Sequence, residues 1–294
     1  MAQGSSSAVK RVSVVTVCLN AEDTIEQTMK SVRDQAYEDI EHVIVDGKSV
    51  DRTKEIVESL GPAIFVSEQD GGIYQAMEKG AKLCTGDIVF FLNSGDLFHD
   101  ENVVADVVSF FNRLKADAVF GNLLPYCVNK DDKYNHPAFT PDRRMDMSYF
   151  SNRRLFYEGS VHHQTIFYRK EIFDSCSYLA ENAAATGEYN LNVQAFVQHG
   201  FMLKHMPRTV CRFALGGKST CDFSIEWERF EAARRIIRTK YFPNGRKTDR
   251  VSAIEYLASC PGIKTLTKIA LREVGALDFL RIVSQKLHRS GTRS

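Results

Sequence analysis

The sequence predicts an α/β fold: a Rossmann-like, mostly parallel sheet with helices on both faces, followed by a helical C-terminal extension. Three observations predict it. Short β-rich apolar runs alternate with amphipathic helical spacings through the N-terminal third. The first run, Val12 to Leu19, is apolar enough to be buried on both faces, as strands inside parallel sheets are. The 294 residues, 44% hydrophobic and 26% charged, suit one large domain with an appendage and exclude disorder, coiled coil and fibrous repeats.

After Val12–Leu19, the residues from Ala21 to Gln35 read as a helix, with Ile25, Met29 and Val32 on one face. Glu41 to Asp46 is a second strand, and a helix starting at Asp51 carries Ile56, Val57 and Leu60. Ala63 to Val66 is a short third strand. Gly72 to Leu83 is a third helix and Asp87 to Leu92 a fourth strand. Further on, Ala118 to Leu124 and His163 to Tyr168 read as strands, separated by a polar interval from Asn129 to Arg154 that suits a substrate-binding loop. Glu188 to His199 reads as helix and Met202 to Ala214 as extended chain. Two basic amphipathic stretches, Ser224 to Tyr241 and Ile263 to Leu287, close the sequence.

The formal net charge of +1 averages two unlike parts. Residues 229–294 carry 15 Lys+Arg against 5 Asp+Glu, whereas residues 1–228 carry 23 against 32. We therefore divide the chain into a flexible Ser/Gly-rich start (1–10), a body (11–220) and a basic helical extension (221–294). Two readings stand for the extension's apolar faces. They complete the core or a homodimer contact, or they lie on an anionic membrane surface. The acidic body and the absence of a recognition motif argue against nucleic acid as a partner. The seven cysteines are scattered, with no C-x-x-C pair, so reduced thiols are expected. No apolar run approaches the ~20 residues that span a bilayer, and the N-terminus lacks the features of a secretory signal. A cytoplasmic location is expected, with the cytoplasmic face of a membrane as a variant of it.

In open α/β sheets ligands bind beyond the carboxyl ends of the strands, so polar residues there are the first candidates. Asn20 follows the first strand. Asp46, Gly47, Lys48 and Ser49 follow the second, where a carboxylate can accept hydrogen bonds from a ribose or base; Asp51 can do so too, or simply cap its helix. Asp70, Gly71 and Gly72 enter the third helix, which carries Tyr74 and Lys79. Asn93, Ser94, Gly95 and Asp96 follow the fourth strand, a suitable place for a hard, oxygen-ligated cation, or for a turn with a helix cap. No G-x-G-x-x-G follows the first strand, which counts against a nucleotide-dependent dehydrogenase.

Together these segments resemble a family-2 glycosyltransferase of the GT-A fold. The resemblance runs from Val12 to Ser219 and is carried by the opening Val14 to Asn20, by Asp46, Gly47, Ser49, Asp51 and Thr53, by Asp70 with Gly72 to Gly80, and by Leu92 to Asp96. His163 with Gln164, Glu188 with Tyr189, and Gly216 to Ser219 match further along. The subgroup resembled includes enzymes of bacterial surface-polysaccharide assembly. The resemblance implies a nucleotide-sugar donor (UDP- or GDP-linked), a carbohydrate or lipid-linked acceptor, and Mn²⁺ or Mg²⁺ as cofactor. It implies that Asn20, Asp46, Asp70, Lys79 and Asn93 line the donor pocket, that Asp96 anchors the metal, and that Glu188 is the catalytic base. His163 falls near the floor of the site. Lys218 is read either as a phosphate contact on a mobile loop or as part of a plain turn.

Three departures from the family pattern stand out. One clear carboxylate, Asp96, replaces the usual pair; Gln75 and Glu78 replace the more frequent Asp and Asn; Glu188 stands where Asp is usual. The alternative function is a catalytically weak, glycosyltransferase-like protein that binds nucleotide sugars or serves as a scaffold.

Overall fold

The computed structural model describes residues 8–128, 139–151, 156–157, 159–180, 186–216 and 223–242. Lys218, half of the polar interval and the stretch Ile263 to Leu287 lie outside the described residues. The described strands form one eight-stranded sheet in the order β3-β2-β1-β4-β7-β6-β8-β5.

The first half of the sheet is parallel. β1 (Val12–Cys18), buried at every position, pairs with β2 (Ile40–Asp46) from Val12↔Ile40 to Cys18↔Asp46. Their carboxyl ends are therefore level, and the turns after Cys18 and Asp46 leave the sheet side by side. β3 (Ile64–Ser67) pairs with β2 so that Ser67 lies opposite Asp46, and β4 (Ile88–Phe91) pairs with the other edge of β1.

Helices cover this half as the spacing predicts. α1 (Ile25–Arg33) buries Ile25, Thr28, Met29 and Val32. α2 (Thr53–Leu60) ends at Gly61, whose left-handed φ of 63° suits a residue without a Cβ. α3 (Ile73–Leu83) lies against β1 with Gly80 facing Val15, so close that a Cβ would overlap Val15 Cγ1. α4 (Val103–Leu114), which the sequence reading passes over, buries Val103, Val104, Val107, Val108 and Phe111. Its apolar face joins Phe90, Phe98 and Phe167 in one core cluster.

The second half is mixed. β7 (Ile166–Arg169) runs antiparallel between β4 and β6 (Ala118–Cys127), and β6 lies parallel to β8 (Leu203–Leu215). The two-residue β5 (Leu97–Phe98) pairs with β8. The strand expected from His163 begins only at Ile166, because His163–Thr165 wind a 3-10 turn. Successive side chains on such a turn diverge by about 120° rather than alternating across a sheet. α5 (Gly187–Asn192) continues as a π turn over Val193–Gln198.

α6 (Phe223–Tyr241) was read from sequence as part of the extension, yet Ile237 is fully buried and Arg238 Nε donates to the Tyr157 carbonyl at 2.9 Å. The first compact unit runs to Pro243; the second, Asn244–Ser294, lies outside the described residues. At the other end, residues 1–7 are not described, while Val9 is buried and its N–H donates to Asn112 Oδ1 at 2.8 Å. Among the described residues no helix is long and apolar enough to cross a membrane. The five described cysteines are all free thiols.

The contact of Gly80 with Val15 fixes α3 on the sheet. Gly80→Ala overpacks it and should cost about 1–3 kcal/mol in urea denaturation. Val15→Ala in the same chain should recover part of that loss. An unchanged urea midpoint for Gly80→Ala would contradict this packing.

Candidate active site

The turns after β1 and β2 are knitted together. Asn20, at a left-handed φ of 50°, accepts from the Val50 N–H at 3.0 Å through Oδ1, and its own N–H donates to Ser49 Oγ at 2.7 Å. Asp46 is fully buried. Its carboxylate accepts from the Ser49 N–H and hydroxyl and from Ser67 Oγ at 2.6 Å. It therefore holds the turn from beneath rather than presenting a free oxygen at the strand edge. Asp51 does cap α2, accepting from the Thr53 N–H at 3.0 Å, and also receives the Glu22 N–H at 3.1 Å. Asp70 reaches the same place from the β3–α3 loop. Its Oδ1 accepts from the Gly72 N–H at 3.0 Å, and its Oδ2 would lie 3.2 Å from a Cβ on Gly47.

Lys79 is directed elsewhere: its Nζ pairs with Glu68 at 2.6 Å beside a surface cleft. The departures at Gln75 and Glu78 are absorbed locally. Gln75 caps the Gly71 N–H, and Glu78 accepts from the Tyr178 N–H at 3.0 Å.

The turn from Asn93 to Asp96 is clamped on all sides. The Ser94 N–H donates to the Val17 carbonyl at 3.2 Å, the Gly95 N–H to Thr28 Oγ1 at 2.9 Å, and Tyr126 Oη to the Gly95 carbonyl at 2.5 Å. Gly95 needs its positive φ of 96°, and a Cβ there would press on Ala214 at 3.2 Å. The Asp96 carboxyl is 3% exposed. It accepts from the Ala214 N–H at 2.9 Å, and the Gln164 side chain beside it also favours the ionised form. Burial nonetheless prevails over these hydrogen bonds and pushes Asp96 up to about 7.

Glu188 has the opposite fate. It is partly buried at the start of α5, with its side chain 15% exposed, yet its carboxyl is held below the usual glutamate range: desolvation works against ionisation, and the His163 side chain and N–H, with His162, outweigh it. Glu188 Oε2 receives the His163 N–H at 3.0 Å and Nδ1 at 2.6 Å, while Asn93 Nδ2 lies 2.8 Å from His163 Nε2. An ionised carboxylate cannot donate, so Nδ1 carries the proton and Nε2 accepts from Asn93. Tyr74 supports Glu188 from α3. Its ring lies so close to Gly187 that a Cβ would come within 2.5 Å, and it stacks on Tyr178 at 5.8 Å.

Two buried oxygens in this cluster, Asn93 Oδ1 and Gln164 Oε1, have no hydrogen-bond partner. Leaving such an acceptor unpaired costs about 1–3 kcal/mol. Beside a carboxylate whose charge is uncompensated, they make a hard, oxygen-only donor set of the kind Mg²⁺ or Mn²⁺ takes. Among the described residues no group of three or more His, Cys, Asp or Glu side chains could hold a metal ion, so a cation here would rely on these amide oxygens together with Asp96.

The family model for glycosyl transferase family 2 matches residues 13–176, more than half of the chain. The chain belongs to glycosyl transferase family 2. Among its relatives is a PGL/p-HBAD biosynthesis glycosyltransferase of Mycobacterium bovis, 25% identical over 219 residues, which span 72% of this chain and 80% of the relative. An uncharacterized glycosyltransferase of Mycobacterium tuberculosis is 42% identical over 100 residues, covering 33% of this chain and 38% of that protein.

Solved structures agree on the fold, which is GT-A. TarS of S. aureus in complex with UDP-GlcNAc superposes with a TM-score of 0.54 at 18% identity, over 78% of this chain and 66% of that one. Glucosyl-3-phosphoglycerate synthase of Mycobacterium tuberculosis, solved with Mn²⁺ and UDP, gives 0.53 at 16% identity, over 79% and 80%. A Pyrobaculum calidifontis mannosyltransferase with GDP-Man and Mn²⁺ gives 0.51 at 16% identity, over 91% and 80%.

Within this family-2 chain the structure brings together Asn93, Asp96, His163 and Glu188, and separately Asn20, the turn held by Asp46, and Asp70. The reading from sequence named Tyr74 on the third helix without giving it a role, and passed over Asn192. Asn192 anchors the approach to His163 by donating to Ser160 Oγ at 2.7 Å and the Val161 carbonyl at 3.1 Å. Its place four residues after Glu188, on the same helix face, was the available signal.

Asp96 sets a pH signature for the cation-free protein. Its folded pKa of about 7 lies above the ordinary 3.8, so the folded state binds more protons than the unfolded chain between those values. Stability from this group is complete below that window and falls as pH rises through it, by at most about 1.4 kcal/mol per unit. Asp96→Asn should flatten the urea-midpoint profile across the window and be at least as stable as the parent at pH ~8. A variant profile parallel to the parent's would contradict the uncompensated carboxyl.

Proposed function

We propose that the protein is an inverting glycosyltransferase that moves a sugar from a UDP- or GDP-linked donor to an acceptor hydroxyl. One observation carries the reading: two carboxylates at one end of the sheet are held in opposite states, partly buried Glu188 gripped by two His163 donors and kept ionised, and buried Asp96 raised toward neutrality. Pairs of carboxyls whose surroundings drive their pKa values apart mark divided roles.

Glu188 is the base. Its Oε2 is occupied by His163, which leaves Oε1 to take the acceptor's hydroxyl proton. The acceptor oxygen then bonds to the anomeric carbon from the face opposite the diphosphate. The bond from that carbon to the diphosphate oxygen breaks, its electron pair leaves with the phosphate, and the configuration inverts. Asn20, the Gly47–Ser49 turn and Asp70 receive the nucleoside end of the donor, and Asn93, Asp96 and Gln164 face its diphosphate. Those three residues would hold a divalent cation, which would supply charge neutralisation for the departing group.

The reading of a binding protein without turnover rests on the single carboxylate at residues 93–96. Asn93 Oδ1 and Gln164 Oε1 supply the oxygens that the shortened acidic motif lacks. For the acceptor, a lipid-linked or polysaccharide intermediate at the cytoplasmic face of a membrane is favoured by the excess of 15 Lys+Arg over 5 Asp+Glu in residues 229–294.

The test is nucleoside diphosphate release from a panel of UDP- and GDP-sugars, with and without Mn²⁺. Glu188→Gln should lower turnover by about 10²- to 10⁴-fold while donor binding by calorimetry is kept. Asp96→Ala should lose the response to Mn²⁺. Unchanged turnover in both variants would contradict the assignment.

A further inference from the structure

We propose that His163 is the positioning residue for Glu188, gripping one carboxylate oxygen so that the other faces the acceptor, and that Asn93 ties this grip to the donor-side turn. The inference rests on the reading of Glu188 as the base and goes beyond it.

The longer side chain at position 188 creates the need. A glutamate has one more rotatable bond than an aspartate, and an unrestrained carboxylate would sample several rotamers. His163 removes that freedom by placing two donors, N–H and Nδ1–H, on the single atom Oε2. Two bonds to one oxygen fix both the position of the carboxylate and its roll. Among the described residues, both hydrogen bonds to the Glu188 carboxylate fall on Oε2 and none on Oε1.

The grip itself is anchored twice. Asn93 Nδ2 donates to His163 Nε2 at 2.8 Å, so only the Nδ1–H tautomer satisfies both neighbours. The 3-10 turn is closed by the Thr165 N–H and hydroxyl, both donating to the His162 carbonyl, at 2.9 and 2.8 Å. The next residue on that turn, Gln164, lies near enough to Asp96 to favour its ionised form. One dipeptide thus sets the geometry of the base and of the donor-side carboxylate together. His162 plays no part in the grip. It packs among Phe139 and Phe213, at ring distances of 5.5 and 6.3 Å, and burial lowers its pKa.

Three variants separate the two hydrogen bonds. In His163→Asn the side-chain amide falls where Nδ1 lies, so the grip on Glu188 is kept and the link to Asn93 is lost. In His163→Gln the amide reaches the Nε2 position, with the reverse effect. His163→Ala loses both. With the donor sugar that the parent protein consumes, His163→Ala should lower kcat by about 100-fold, the cost of a misplacement near 1 Å, with donor KM within about twofold. His163→Asn should recover more of kcat than His163→Gln. The double variant His163→Ala with Glu188→Ala should be no slower than Glu188→Ala alone, because the histidine acts through the glutamate.

A rise in donor KM at unchanged kcat, a better recovery by His163→Gln, or a double variant slower than Glu188→Ala overturns the proposal. Failure of the base reading looks different: Glu188→Ala itself would keep parental turnover. A spectroscopic arm needs no donor sugar. Nitrogen-15 NMR of the histidine-labelled protein should show His163 as the Nδ1–H tautomer and lose that signature in Glu188→Ala; an Nε2–H tautomer in the parent overturns the proposal.

Discussion

Two carboxylates, Asp96 buried and Glu188 partly so, stand at the carboxyl end of the same sheet, and two adjacent side chains act on them. His163 places two donors on Glu188 and keeps it charged. Gln164 reaches Asp96, but with the Ala214 N–H it does not offset the cost of burial. A buried charge without compensation is tolerated only by taking up a proton or a counter-ion. On the proposed reading, one of these acids takes a proton from the acceptor and the other would take a cation. Those are the two needs of sugar transfer from a diphosphate.

The rest of the fold serves to bring these groups into register. Parallel pairing of β1 with β2 levels the Cys18 and Asp46 ends, and Asp46 holds its turn through a serine that the β2–β3 register supplies. Close packing of α3 on β1 at Gly80 carries Tyr74 to the underside of Gly187, and so supports the start of α5 where Glu188 sits. β7 brings His163 and Gln164 to the edge of β4, next to the Asn93–Asp96 turn. Each contact is local in space and distant in sequence: Asn93 and His163 are 70 residues apart, His163 and Glu188 are 25.

That separation explains what the sequence made legible. β1 to β4 and α3 stand within one or two residues of their predicted bounds, because apolar runs and helical spacings are local signals. The same kind of signal was present in α4, where Val103, Val104, Val107, Val108 and Phe111 follow helical spacing, and it was passed over. The residues at positions 93, 96, 163 and 188 were legible through motif resemblance. Their hydrogen bonds were not. Asp46 looks like an open carboxylate until Ser67 arrives from β3, and Lys79 looks available until Glu68 pairs with it. The apolar run after His163 reads as one strand, and nothing local announces that its first three residues wind a turn. That turn is what aims His163 and Gln164 at different carboxylates.

The division of labour between the two carboxylates is open to direct observation. Crystals grown with Mn²⁺ and either UDP or GDP would locate the manganese by its anomalous scattering. The account predicts a peak within about 2.0–2.3 Å of an Asp96 oxygen, near Asn93 and Gln164, with Glu188 still bonded to His163. A manganese ion ligated by Glu188, with Asp96 turned away from it, would contradict the account.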